Sequence, residues 1–343
     1  MSAASTPPSD LAPPAPRHRR NMAAVIALIP VLVAFALWAF AWPAARTAPR
    51  ELPLGVAGST TATASVEKQL AHQDDAFEIH HYADEAAARD AIEDRTVYGA
   101  IVATAQETKL LTASAASPLV AQLLQAAVAE QAPEGASVTT VDVVPAAAKD
   151  PRGAALTSSV LPMGLAGVAA GSVVTLLGLR GVRAVGALTG AAFLVGVVAA
   201  TITHNWLGVL TGNWWVGAGA LGLSTLAVGG TVAGLAALIG PPGIGIGAFL
   251  IVLLGNPFSG ASSAPQMLPE PVGTIGQWLP PGAGASLLRS VSFFDGAAAT
   301  GPALTLAWWA TLGLGAVLLG DTLGRRRTTT TGTVTSREPV LVN

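Results

Sequence analysis

Cysteine is missing from all 343 residues, which excludes disulfides, thiol nucleophiles and zinc-thiolate sites and names no redox compartment. Charge is scarce as well. Only 11% of residues are Asp, Glu, Lys or Arg, against about 25% in soluble domains. The net charge is −2, so no basic excess points to a nucleic-acid partner. Between residues 160 and 320 the formally charged residues are Arg180, Arg183, Glu270, Arg289 and Asp295, and none falls in the middle of an apolar run. Ion- and proton-driven transporters place acidic or histidine relays inside their spans. Here there is only His204, at the end of a run beside the interfacial type of residue Trp206, which argues against a proton-coupled antiporter. No G-x-x-x-x-G-K-[ST] loop is present. The glycine-rich run at 240–247 lacks the lysine and the strand–helix setting, so this chain is not expected to hydrolyse nucleotide itself, and no cofactor is expected.

What the chain does have is apolar length. Hydrophobic residues make up 51% of it, the mean hydropathy is +0.55, and a helix needs about 20 apolar residues to cross a bilayer. The first run, Met22–Ala41 within residues 22–44, carries Trp38 and Trp42 as interfacial anchors and follows a Pro-rich tail (1–21) expected to be disordered. It is longer than the apolar region of a cleaved leader, which favours an uncleaved anchor despite the small residues at Pro43–Ala45. Further runs cover Val160–Leu179, Val185–Ile202, Trp214–Leu238, a short Pro242–Gly255, and Pro302–Gly320. Positive-inside counting puts Arg19 and Arg20, Arg180 and Arg183, and Arg325–Arg327 on the cytoplasmic side. Six crossings satisfy all three clusters, so the short run is expected to cross. Both termini then lie inside a multi-pass cell-membrane protein, with residues 325–343 as a cytoplasmic tail.

That topology leaves residues 46–155 outside as a small α/β (α+β) domain. Strands are expected at Leu52–Ala57, Phe77–Tyr82, Tyr98–Ala103 with Lys109–Leu111, and Val138–Val144. Helices are expected at Ala64–His72, after the N-cap Asp84, and after Ser117-Pro118. His72, Asp74, Asp75, His80 and His81 could be read as a metal site. Adjacent residues of a strand face opposite ways, so His80 and His81 do not converge, and no metal is expected. Ser259 and His204 are the one nucleophile–base pair an intramembrane protease could use, but both sit at run ends; no enzyme activity is expected.

The remaining stretch, 256–301, is nearly uncharged yet broken by Pro257, Pro265, Pro269, Pro271, Pro280 and Pro281. Such backbone is too costly to expose to lipid, so a cap or re-entrant segment at the outer ends of the spans is expected. Trp278 is expected at the interface, with Arg289 snorkelling outward from a short helix, Gly284–Val291. The order of a short span, Asn256-Pro257-Phe258-Ser259-Gly260, Leu268-Pro269, Ile275-Gly276-Gln277-Trp278-Leu279-Pro280-Pro281-Gly282-Ala283, Leu288-Arg289, Phe293-Phe294-Asp295-Gly296 and a final span resembles the C-terminal signature of the type-2 ABC-transporter permease superfamily. Asp84–Ala103 followed by Leu110–Gln122 is similar to the outer-domain pattern of its actinobacterial branch related to YhgE and the phage infection protein. Each motif alone is unspecific; their order covers the chain from Met22 to about Arg325.

The resemblance implies five helices after the outer domain (157–324), with two short outer helices before the last. It also implies export of apolar or amphipathic compounds or envelope components by a homodimer working with a separate ATPase. Asn256, Pro257, Trp278, Pro280, Pro281 and Arg289 would shape the outer gate. Gly164, Gly167 and Gly171 share one helix face and are candidates for a dimer seam, with packing inside one chain as the alternative. Arg180 and Arg183, in the short loop Gly178–Ala184, are the candidate docking point for the ATPase. That loop and the Pro-rich tail depart from ATPase-coupled members, so an ATPase-independent scaffold or receptor-like envelope protein is the competing reading.

Overall fold

The computed structural model describes residues 16–59, 63–64, 68, 70, 76–104, 107–131 and 138–332. His72, Asp74, Asp75 and much of the expected helix Ala64–His72 lie outside the described residues. The architecture is that of a helical membrane protein carrying a small mixed-sheet domain. Among the described residues, five helices are long and apolar enough to cross a membrane.

Helix α1 (Pro16–Ala45) begins six residues ahead of the expected run and so takes in the end of the stretch expected to be disordered. The sheet domain follows, with strands β1 (Leu52–Gly58) and β2 (Phe77–Tyr82), helix α2 (Glu85–Glu93), strands β3 (Gly99–Ala103) and β4 (Thr108–Thr112), helix α3 (Pro118–Gln131) and strand β5 (Val138–Asp142). Asp84 caps α2 by accepting from the Ala87 N–H at 2.9 Å, and the Ser117 hydroxyl accepts from Val120 N at 3.2 Å ahead of Pro118. The strands lie in the order β2-β1-β3-β4-β5. β1 pairs in parallel with β2 and β3, β3 is antiparallel to β4, and β4 is parallel to β5.

The helical part comprises α4 (Ala154–Leu176), α5 (Gly181–Ala200), α6 (Trp214–Ile239), α7 (Pro242–Ala248), α8 (Val272–Trp278), α9 (Pro280–Phe293) and α10 (Thr300–Gly332). Two of them change winding: α5 continues as a π-helix over Thr201–Trp206, and α7 over Phe249–Gly255. The buried carboxylate of Asp150 takes the exposed N–H groups at the start of α4, Ala154 at 2.8 Å and Ala155 at 2.9 Å. Helix α6 is the hub, with 56% of its apolar window buried against 6% for α1.

Small residues decide how closely the helices approach α6. A Cβ at Gly167 would come 2.5 Å from the Val228 Cβ, and one at Gly171 would come 2.5 Å from the Gly229 carbonyl. Gly167 and Gly171 are thus buried against α6 of the same chain, which is the intramolecular alternative and leaves neither for a partner's seam. Gly164 is half-buried and faces Ile251.

The short apolar run does form one helical segment, Pro242–Gly255. It runs back along α6, with Gly243 against Leu235, then Gly247 against Val232, and Gly255 reaching Pro281. α1 touches this segment through aromatic rings, with the Phe35 and Phe249 ring centroids 5.0 Å apart.

Candidate functional site

The proline-broken stretch is a hairpin with a purpose visible in its placement. The cis Glu270–Pro271 bond precedes α8; α8 and α9 meet at Leu279, where Pro280 and Pro281 take the first turn of α9, the one place a helix does not need their missing N–H. The tip does not stay level with the helix ends. The Trp309 indole donates to the Trp278 carbonyl at 2.7 Å, and Gly284 faces Ser224. Trp309 is nine residues into α10 and Ser224 ten into α6, so the tip reaches about 15 Å down the bundle at 1.5 Å per residue. From there α9 climbs back, and the Thr211 hydroxyl donates to the Ser292 carbonyl near the start of α6. Leu279 to Ala283 are buried, which shields the irregular backbone with protein.

The hairpin grips the sheet domain from both faces. Met267 enters the core formed by Leu54, Leu110, Val120 and Leu124. Phe294, just past α9, enters the opposite core with Ala57, Ala88, Ile92 and Leu111. Between them run polar ties. Arg50 donates to the Met267 carbonyl at 3.1 Å, the Tyr98 hydroxyl to Gln266 Oε1 at 3.0 Å, and Arg95 to the Ser286 carbonyl at 3.0 Å and the Ser290 hydroxyl at 2.6 Å. The Arg95 guanidinium also lies 5.2 Å from the Phe294 ring centroid.

These contacts frame a groove of about 980 Å³ between the sheet domain, the hairpin and the first half of α10. Arg95, Tyr98, Gln266, Gln277, Ser286 and Arg289 line its upper part; Trp278, Leu304, Ala307, Trp308 and Thr311 line its lower part. A second cavity of about 350 Å³ adjoins it through Gln266, Gln277 and Trp278 and carries Glu51, Glu78 and Glu270. Arg95 and Ala298 hold left-handed backbone (φ 59° and 55°) at the groove, and Glu51 does so (φ 45°) in the adjoining cavity. Such strain in non-glycine residues concentrates where a site over-determines the backbone. Loss of hydration lowers the Arg95 pKa below the usual guanidinium value, with Tyr98 opposing, and raises that of the Tyr98 phenol, with Arg95 and Arg289 opposing.

Two expectations change here. Arg289 does not snorkel. It is 5% exposed and donates to the Ala261 carbonyl, because α9 is wedged under the sheet domain rather than lying on the surface. Trp278 sits at the hairpin tip beside Trp309, not at the helix ends, and its ring is 70% exposed. Pro280 and Pro281 are buried in the first turn of α9, and Asn256 and Pro257 start the 3₁₀ turn Pro257–Ser259 that leads into the hairpin. The Ser259 hydroxyl donates to the Asn256 carbonyl at 2.7 Å and accepts from Ala261 N, so it is held by backbone and not by a base. His80 lies beside Glu78 at 3.5 Å. Among the described residues no group of three or more His, Cys, Asp or Glu could hold a metal ion. Arg180 and Arg183 are exposed around the four-residue turn 177–180 at the opposite end of the bundle. Sequence reasoning missed Arg95, Tyr98 and Phe294 as partners of the hairpin; only the Phe293-Phe294 pair in a polar context gave any signal.

The chain matches no protein-family model, no curated protein and no solved structure.

Proposed function

We propose that this chain is a permease-like membrane protein that exports apolar or amphipathic compounds, or envelope components, across a cell membrane. In this reading Pro242–Gly255 is the sixth crossing, both termini are cytoplasmic and the sheet domain lies outside. Arg19, Arg20, Arg180, Arg183 and Arg325–Arg327 favour that orientation because all then lie on one side. The observation that carries the reading is the groove. It runs from about a third of the way down α10 to the underside of the sheet domain, apolar below and polar above, alongside a hairpin that returns within the bundle. Pockets for small ligands are mostly apolar with a few convergent polar groups, and this one is aligned with the helices that would carry cargo outward.

A second reading, an ATPase-independent scaffold or receptor-like envelope protein, is favoured by one observation. The turn between α4 and α5 is four residues long and offers an ATPase little beyond Arg180 and Arg183 to hold. Gentle solubilisation of the tagged chain from its own membrane, with mass spectrometry of what comes with it, decides between them. A stoichiometric cytoplasmic ATPase supports the permease. Recovery of the chain with only itself or with envelope proteins supports the scaffold.

A further inference from the structure

The upper half of the groove holds two guanidiniums and no counter-charge. Arg95 donates to the Ser286 carbonyl and the Ser290 hydroxyl, which flank Arg289 on α9 and bring the two arginines alongside each other. Among the described residues the hydrogen bond of Arg289 goes to the Ala261 carbonyl alone, although the residue is 5% exposed. Among the described residues no carboxylate lies within 4 Å of either. Glu51, Glu78 and Glu270 line the adjoining cavity, beyond Gln266 and Gln277, and Asp150 is committed to the start of α4. A buried charge left without a partner is costly, and paired arginines suit the several oxygens of a phosphate. Below them the lining turns apolar and aromatic and stays open at the side: Trp278 is 70%, Leu304 65% and Trp308 64% exposed. From Gly301 to Thr311 the groove follows α10 for about 15 Å, half the thickness of a bilayer's hydrocarbon core of roughly 30 Å.

We propose that this groove holds an anionic lipid, its phosphate head between Arg95 and Arg289 and its acyl chain against Trp278, Leu304 and Trp308. As the identity of the cargo this deepens the export reading and rests on it; as a binding site it stands on the charge and shape of the groove. A free anion would satisfy the arginines but leave the apolar half uncovered. A second copy of the chain would have to bring its own negative group to the same point.

The test uses the full chain in nanodiscs of phosphatidylcholine with a phosphatidylglycerol that carries a photoreactive diazirine in its acyl chain, the labelled peptides being mapped by mass spectrometry. Labelling is expected within 272–279 and 300–311. Unlabelled phosphatidylglycerol should compete, whereas extra phosphatidylcholine and inorganic phosphate should not. Arg95→Gln with Arg289→Gln should lower the labelling about ten-fold or more, the loss expected when charge-assisted hydrogen bonds go. Should that double variant fail to fold, Leu304→Trp on the exposed rim carries the test, because its bulk fills the groove and should suppress labelling. Labelling that ignores the head group, that survives Leu304→Trp, or that inorganic phosphate abolishes would overturn the site. So would groove residues cross-linking chiefly to a second copy. Selective labelling in a chain that exports nothing would sink the export reading and leave the site; export without head-group preference would do the reverse.

Discussion

Gly313 and Gly315 sit two residues apart on α10 and should respond oppositely to the same substitution. A Cβ at Gly313 would lie 2.6 Å from both the Gly230 carbonyl oxygen and the Thr231 nitrogen of α6, whereas one at Gly315 would meet nothing within 4 Å. Ordinary contact is 3.4–4 Å, and the obstructing atoms are backbone, which has no rotamer to escape into. Gly313→Ala therefore forces α10 and α6 apart by most of an ångström along their seam. Overpacking of this kind costs about 1–3 kcal/mol. Gly315→Ala meets open space and gains the helix preference of alanine, worth up to about 1 kcal/mol. The assay is thermal unfolding of the full chain in mild detergent, followed by its tryptophan fluorescence and by the fraction still monodisperse. Gly313→Ala should lower the midpoint by several degrees and Gly315→Ala should leave it unchanged or raise it. Equal losses in the two variants would refute the seam, because helix propensity and detergent effects are common to both while the contact is not.

Phe294→Ala removes a ring that is buried in the sheet-domain core and covered by Arg95. At the usual cost of about 3–5 kcal/mol for such a truncation, the sheet domain should come loose from the hairpin. Proteolysis between residues 46 and 155 should then accelerate while the helical content of the rest holds; unchanged proteolysis would mean the ring is not the latch. Glu85 accepts from Arg89 at 2.7 Å and Lys109 at 3.2 Å, which lowers its pKa from the ordinary 4.5. Its contribution is complete above the ordinary value and is lost as pH falls through the lower folded one. With the partners about a third exposed the effect stays below about 1 kcal/mol. Melting of the wild-type chain should therefore steepen its decline below pH 4.5 relative to Glu85→Gln, and parallel curves would remove the pair from the stability of the domain.

Periodicity and length were enough to find the long apolar helices, because a span is a local property of some twenty residues. Local chemistry also found the caps at Asp84 and Ser117-Pro118, each of which needs only a side chain and the next turn. Strand order was not legible. β1 lies between β2 and β3, the pairing with β3 reaching across β2 and the whole of α2, and nothing in the strands themselves states a partner. The π-winding of 249–255 runs through uninterrupted apolar residues with no proline or polar residue to mark it. That of 201–206 coincides with Thr201, Thr203, His204 and Asn205 at the end of an apolar run, which reads as a helix end rather than a change of winding. Prolines correctly pointed to a broken, covered segment at 256–301, but not to its depth, which is fixed by Trp309 on α10 and Ser224 on α6. Arg289 was misjudged for the same reason. A lone arginine on a short amphipathic helix reads as a surface residue until the sheet domain, whose Arg95 is 191 positions from its hydrogen-bond acceptor on α9, closes over it. The glycines of α4 show the limit from the other side, since one small-residue face serves a neighbouring chain or a neighbouring helix equally well in sequence.

The most direct measurement is uptake of a fluorescent anionic phospholipid into inside-out membrane vesicles, prepared from cells that express the chain and from cells that lack it, with and without ATP. Export by this chain predicts faster uptake in the expressing vesicles, reduced by Leu304→Trp in the groove. Equal uptake with and without a folded, membrane-inserted chain, in the presence of every protein that co-purifies with it, would contradict export of an anionic lipid by this chain.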